Sequence, residues 1–344
     1  MNPLMSSLIL SSLALGTVIT MSSYHWLLAW VGLELNTLAV IPVIAKHHHP
    51  RATEATTKYF LTQAAASATL LFSSTINAWS TGTWDIMQLT NQPACIMLTM
   101  ALSMKLGLAP LHFWLPEVLQ GTSLKTALII ATWQKLAPMT LLFLTHNSLH
   151  PTTLLTVGLI STLTGGWGGL NQTQTRKIMA YSSIAHLGWM ATILVLAPNL
   201  LILNLTIYLM MTLSTFTMLI FSSAKTIKDL TTSWAISPMM TTLMLVSLMS
   251  MGGLPPLSGF MPKWLILQEL TSHNLSMVAM MLALSALLSL FFYLRLSYST
   301  TLTLSPTTTQ NKLKWRLQPS LKTTILTTTL ILSTMLLPVT PLLI

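Results

Sequence analysis

The 344-residue sequence predicts an all-α, polytopic membrane protein with eleven transmembrane helices. Three observations carry that prediction. Only 6% of the residues are charged, against roughly 25% in ordinary soluble domains, and the mean hydropathy is +0.69. Apolar runs of the length that crosses the hydrocarbon core, about 20 residues, follow one another with short polar stretches between them. Finally, the Lys and Arg residues outside the runs all fall in alternate loops.

The runs are Pro3 to Met21, Tyr24 to Ala45, Lys58 to Ala78, Ala94 to Leu115, Leu124 to Leu144 and Thr153 to Leu170. They continue as Ile178 to Leu196, Leu200 to Phe221, Ile236 to Glu269, Asn274 to Tyr298 and Leu321 to Leu342. Threading all eleven puts the loops after even-numbered runs on one side of the membrane. That side carries Lys46, Arg51, Lys58, Lys125, Arg176, Lys177, Lys225, Lys228, Arg295, Lys312, Lys314, Arg316 and Lys322, thirteen of the sixteen basic residues. The odd-side loops carry none. Because translocation of Lys and Arg is resisted, this split places the even loops and the N-terminus on the cytoplasmic or equivalent side. Merging or splitting one run would scramble the parity, so the charges support the count as well as the orientation.

The ninth run is too long for one simple span and contains Met251-Gly252-Gly253-Leu254-Pro255-Pro256-Leu257-Ser258-Gly259-Phe260. Two prolines remove backbone donors and the glycines permit non-helical dihedrals, so a helix should break there. The fourth run carries a weaker interruption at Gly107 through Pro110 and again at Pro116. Interrupted helices at corresponding positions of two halves point to an inverted-repeat transporter fold. Runs one to five (1–148) and six to ten (149–300) are read as the repeats, and 301–344 as a loop and final helix.

Four ionisable residues sit within the spans: Glu34, Lys105, Lys135 and Lys263. A charge at the bilayer centre costs about 2.5 to 3.5 kcal/mol on insertion scales, so each requires a partner, a water path or a neutral state. Burial disfavours an ammonium and a nearby carboxylate favours it, so lysines between these influences can exchange protons as their surroundings change. Glu34, Lys105, Lys135 and Lys263 are therefore the candidate proton relay; the bland alternative is a static ion pair, such as Glu34 with Lys105. His186, His112 and Glu269 are weaker candidates for relay or half-channel positions, and a histidine hydrogen-bonded inside the bundle is an equal explanation for the first two. His47, His48 and His49 are consecutive on a loop, converge poorly on one ion, and are read as solvated; no metal site is expected. Glu54, Glu117, Asp85 and Asp229 fall at interfaces or in loops and receive no role.

The formal charge of +10 does not indicate nucleic acid, since the basic residues are scattered singly rather than clustered on one face. Cys95 is the only cysteine, which excludes a disulfide or a thiolate-held cluster within the chain. Met1-Asn2-Pro3 runs straight into an apolar segment without a basic n-region or an Arg-rich presequence, so no cleaved address is expected.

Pro110-Leu111-His112-Phe113-Trp114-Leu115-Pro116-Glu117 followed by Lys125 and Lys135 resembles the segment that marks the antiporter-like, proton-translocating membrane subunits of respiratory complex I. Gly252 to Phe260 with Lys263 resembles their second broken helix, and Tyr181-Ser182-Ser183-Ile184-Ala185-His186-Leu187-Gly188 extends the likeness along the chain. The resemblance implies a multi-pass subunit of the inner mitochondrial membrane, N-terminus in the matrix and C-terminus in the intermembrane space. The Leu-, Thr- and Met-rich composition resembles that of mitochondrially encoded chains. Glu34 and Lys105 would form the coupling pair, Lys135 the connecting lysine, and Lys263 the terminal lysine of the outer half-channel. The chain would bind no cofactor, with NADH, FMN, iron-sulfur clusters and ubiquinone held by other subunits. Its partners would be neighbouring membrane-arm subunits, antiporter-like ones included, and lipids such as cardiolipin. Full-length members have fourteen helices, and the eleven here correspond to those after the first three. A stand-alone cation/proton antiporter would use the same fold and is the nearest rival; a purely structural membrane scaffold is a second, and it does not account for charges at midplane.

Overall fold

A computed structural model describes residues 3–47, 49–235, 237–302 and 324–338. The readings made above for Lys312, Lys314, Arg316, Lys322, His48 and the two chain ends lie outside the described residues. Among the described residues the regular structure is helical, with no β-strand. The helices are α1 (Pro3–Ser22), α2 (Trp26–Ile44), α3 (Pro50–Thr81), α4 (Gln92–Leu106), α5 (Trp114–Gly121), α6 (Leu124–Ala131), α7 (Trp133–Thr145) and α8 (Pro151–Gly169). There follow α9 (Thr175–Ile193), α10 (Pro198–Ser222), α11 (Ile227–Thr232), α12 (Pro238–Gly252), α13 (Phe260–Ser272), α14 (Ser276–Thr301) and α15 (Thr324–Met335).

Among the described residues, five segments are long and apolar enough to cross a membrane: Pro3–Ser22, Trp26–Ile44, Leu124–Thr145, Pro198–Ser222 and Ser276–Thr301. The least buried of them carry large exposed apolar side chains, such as Leu4, Leu8 and Leu15 on α1 and Met277, Leu284 and Leu287 on α14. A helix apolar on its exposed face as well as its buried one is at home in lipid. Polar side chains on these helices mostly satisfy themselves. Ser and Thr hydroxyls donate to carbonyls one turn back, as Thr20 does to Thr17 and Ser214 to Met211.

The chain forms two compact units, Met1–Ser161 with Met190–Pro198, and Thr162–Trp189 with Asn199–Ile344. In the first, α1 and α2 meet through small residues. A methyl group on Gly16 would lie 2.9 Å from the Gly32 carbonyl oxygen, and one on Gly32 the same distance from that of Gly16. Such contacts let helix backbones approach closely where no hydrophobic effect drives association. In the second unit, Arg295 of α14 donates to the carbonyls of Leu170, at 2.6 Å, and Gln172 just beyond the end of α8, where a cation also complements the helix dipole.

Three local features refine the reading of the sequence. The interruption of the fourth run is confined to residues 107–113. Pro116, where a second break was expected, instead occupies the first turn of α5, because the N–H it lacks would have had no partner there. The fifth run is two helices rather than one. It breaks at Thr132 (φ −112°, ψ −70°), whose hydroxyl donates to the Leu128 carbonyl at 2.7 Å, while the Lys135 N–H reaches only three residues back to Thr132. Side-chain back-bonding of this kind bends helices, and Pro138 removes a further donor in the next turn. In the ninth run, α12 ends at Gly252 and α13 begins at Phe260, leaving residues 253–259 non-helical.

Candidate functional site

The interruptions of the fourth and ninth runs begin in the same way. α4 is followed by Gly107 with φ +79° and α12 by Gly253 with φ +79°. Only glycine adopts this left-handed conformation without steric cost, and its N–H then caps the last turn: Gly107 donates to Ser103 at 2.9 Å and Gly253 to Ser250 at 3.0 Å. Carbonyls at the end of each helix are left pointing outward, carrying the negative end of its dipole.

A lysine occupies each of these ends. Lys135 on α7, only 1% exposed, donates its ε-amino hydrogen to the Leu106 carbonyl oxygen, the last of α4. Lys263 on α13 donates to the Gly252 carbonyl oxygen, the last of α12, at 2.9 Å. The fit at Gly253 is close, since a methyl group there would lie 2.9 Å from the Lys263 nitrogen. The Trp114 ring stands 5.9 Å from Lys135 Nζ, within cation–π range, and its indole N–H donates to the Met104 carbonyl at 3.0 Å. The first turn of α5 is thereby tied to the end of α4.

Lys105, in the last turn of α4, differs from the other two. It is 5% exposed, and its nitrogen has no hydrogen-bond partner. Glu34 on α2 is half-buried and accepts a hydrogen bond at 2.9 Å from Thr37, whose hydroxyl also reaches the Glu34 carbonyl. Glu34 and Lys105 feel one another electrostatically. They do not form a direct ion pair: the ion pairs between described residues are Lys58 with Glu54 and Lys58 with Glu117. A static Glu34–Lys105 bridge is therefore not the arrangement present.

In the second unit, His186 on α9 is 6% exposed, lies within electrostatic reach of Lys263, and sets its ring 5.5 Å from that of Tyr208. Glu269 is half-buried on the same helix as Lys263, almost two turns further on. His112 is buried in the stretch between α4 and α5, its ring 4.3 Å from Phe113. His49 caps α3, accepting the Arg51 N–H on its ring nitrogen at 3.2 Å. Among the described residues no group of His, Cys, Asp and Glu is placed to hold a metal ion.

Two features escaped the sequence reading. Glu54 and Glu117, given no role, both engage Lys58, at 2.5 and 2.7 Å, and so tie α3 to the first turn of α5. The hydrogen bond from Lys58 holds the Glu54 carboxyl below the usual carboxylate range. The spacing of Glu54 and Lys58 by four residues was a visible helical signal; the partnership with Glu117 was not. The other feature is a narrow cavity beside Lys105 and Lys135, walled also by Asn36, Gln63 and Gln134.

Among the described residues the chain is helical, with a buried lysine seated on one interrupted helix end and a half-buried lysine on the other. Residues 23–289 match the family described as NADH:quinone oxidoreductase/Mrp antiporter, TM, and residues 290–344 match NADH dehydrogenase subunit 2 C-terminus. The sequence is 60% identical over 342 residues to NADH-ubiquinone oxidoreductase chain 2 of Xenopus laevis, covering 99% of each chain. A chain of respiratory complex I from Thermus thermophilus matches 96% of this one, and 77% of its own length, with a TM-score of 0.80 at 26% identity. A chain of the Mrp complex from Dietzia shares the fold with a TM-score of 0.75 at 15% identity, over 95% of this chain and 74% of that one. The chain belongs to the NADH-ubiquinone oxidoreductase chain 2 family, within the larger group of complex I and Mrp antiporter membrane subunits.

Proposed function

We propose that the chain is a core membrane-arm subunit of respiratory complex I that moves protons across the inner mitochondrial membrane through Glu34, Lys105, Lys135 and Lys263. The observation that carries this reading is the seating of Lys135 and Lys263 on the terminal carbonyls of α4 and α12. A helix C-terminus favours an ammonium without a fixed counter-charge. The site can therefore accept and release a proton without the cost of breaking a buried ion pair, which runs to several kcal/mol, about 3 to 5. Electron transfer from NADH to ubiquinone, with its flavin and iron-sulfur chemistry, belongs to other subunits, and coupling reaches this chain through Glu34 and Lys105. His186, beside Lys263, and His112 and Glu269 are secondary positions along the route.

Eleven spans, with the fourth and ninth broken, fit this role. The matching glycine-terminated ends of α4 and α12 support reading 1–148 and 149–300 as inverted repeats, with 301–344 appended. Neighbouring antiporter-like subunits are the expected partners, with lipids such as cardiolipin at the apolar faces. The split of the basic residues supports an orientation with the N-terminus and the Lys225–Lys228 loop in the matrix and Ile344 in the intermembrane space. In sealed mitoplasts, protease added outside should leave the Lys225–Lys228 loop intact; cleavage there would reverse the assigned orientation.

The functional reading is tested by Lys135→Met in the assembled complex. Removing a proton carrier of this kind is expected to lower proton pumping and coupled NADH oxidation roughly a hundredfold. Unchanged pumping would return the chain to the role of a scaffold. Purification of the chain away from flavin and iron-sulfur subunits, with cation/proton exchange retained, would favour the stand-alone antiporter.

A further inference from the structure

The cavity in the first unit brings together an unusual set of polar atoms. Along with Lys105 and Lys135 it is lined by Asn36 of α2, Gln63 of α3 and Gln134 of α7. Asn36 is 2% exposed and Gln63 4%. Both polar atoms of the Asn36 side chain, the Gln63 and Gln134 amide nitrogens and the Lys105 amine are buried without a hydrogen-bond partner. Leaving a buried polar group unpaired costs about 1 to 3 kcal/mol. Unpaired polar groups on four residues lining one space are not accounted for by packing; they define a site for something small, neutral and able to hydrogen-bond. The cavity is narrow, with room for about one water-sized molecule, and a buried water typically makes about three hydrogen bonds.

We propose that Asn36, Gln63 and Gln134 are positioning residues that hold a water between Lys105 and Lys135, and that this water carries the proton from one lysine to the other. The inference rests on the relay reading above and names the residues that bridge its middle step. The Lys105 ammonium gives a proton to the water oxygen as the water gives one of its own to the neutral amine of Lys135. One O–H bond is made and one broken, the water is regenerated, and a single positive charge moves. The amides neither gain nor lose protons. Because an amide can donate or accept, it holds the water in either orientation, where a carboxylate would trap the positive charge.

The test compares Gln63→Leu, Gln134→Leu, Gln63→Asn and Lys135→Met in assembled complex I in sealed vesicles. Proton pumping is read against NADH oxidation, and ordered water in the cavity is read from a high-resolution structure. Gln63→Leu keeps the side-chain volume and removes the amide. It is expected to empty the cavity of ordered water and to lower pumping about tenfold, the loss of one hydrogen bond to the carrier, while Gln63→Asn restores most of it. If Gln63→Leu fails to assemble, Gln134→Leu is read in its place by the same criteria. Full pumping in the leucine variant that assembles, with Lys135→Met inactive, would overturn the water site and leave the relay standing. Full pumping in Lys135→Met would remove the relay and the inference with it.

Discussion

Replacing Lys263 with methionine is expected to abolish proton translocation through this subunit, with pumping reduced roughly a hundredfold in the assembled complex. Lys263 is the group that closes off the end of α12, donating to the Gly252 carbonyl at 2.9 Å, and it packs against the backbone at Gly253. Methionine fills similar space and leaves that carbonyl unpaired, at a cost of about 1 to 3 kcal/mol. Lys263→Arg separates charge from proton exchange. A guanidinium can still cap α12, so assembly should hold better than with methionine, but it keeps its proton at any physiological pH, with an ordinary value of about 12.5 or more. Arginine is therefore expected to assemble and fail to pump. Full pumping with arginine would show that this position never needs to release a proton.

Glu34→Gln is expected to lower coupled turnover about tenfold, the effect of removing one nearby charge on a buried titration, with assembly little changed. Glutamine can accept the same hydrogen bond that Thr37 gives to the carboxylate at 2.9 Å, so the local structure of α2 survives. What is lost is the attraction between the carboxylate and Lys105, which acts across a gap rather than through a direct bond. Pumping per electron and NADH oxidation both measured at parental levels would rule out a coupling role for Glu34.

How far the sequence reveals this arrangement depends on the kind of signal. The helix breaks at Gly107 and Gly253 are legible because left-handed glycine and consecutive prolines are local properties of the backbone. Pro116 shows the limit of that logic: proline breaks a helix interior but suits a first turn, and the sequence alone does not say which of the two it occupies. The break at Thr132 arises from a hydroxyl that bonds backward, an option open to every Thr in the chain and taken with this result here. Among the site residues, Glu34, Lys105, Lys135 and Lys263 stand out because charge is costly in hydrocarbon. Asn36, Gln63 and Gln134 do not, since a neutral amide on an apolar helix is common and becomes informative only when three of them face one space. The capture of Lys58 by both Glu54 and Glu117 is likewise a tertiary fact, requiring α3 and α5 to be side by side.

The most direct test of the relay is proton pumping per electron in sealed vesicles containing complex I with Lys105→Met. Lys105 is buried with no direct hydrogen-bond partner, so methionine there breaks no direct hydrogen bond and leaves packing nearly unchanged. Any loss then reports the proton chemistry rather than the fold. The relay requires an assembled complex whose pumping and coupled NADH oxidation fall together by at least about tenfold; an assembled Lys105→Met complex that pumps as many protons per electron as its parent would contradict it.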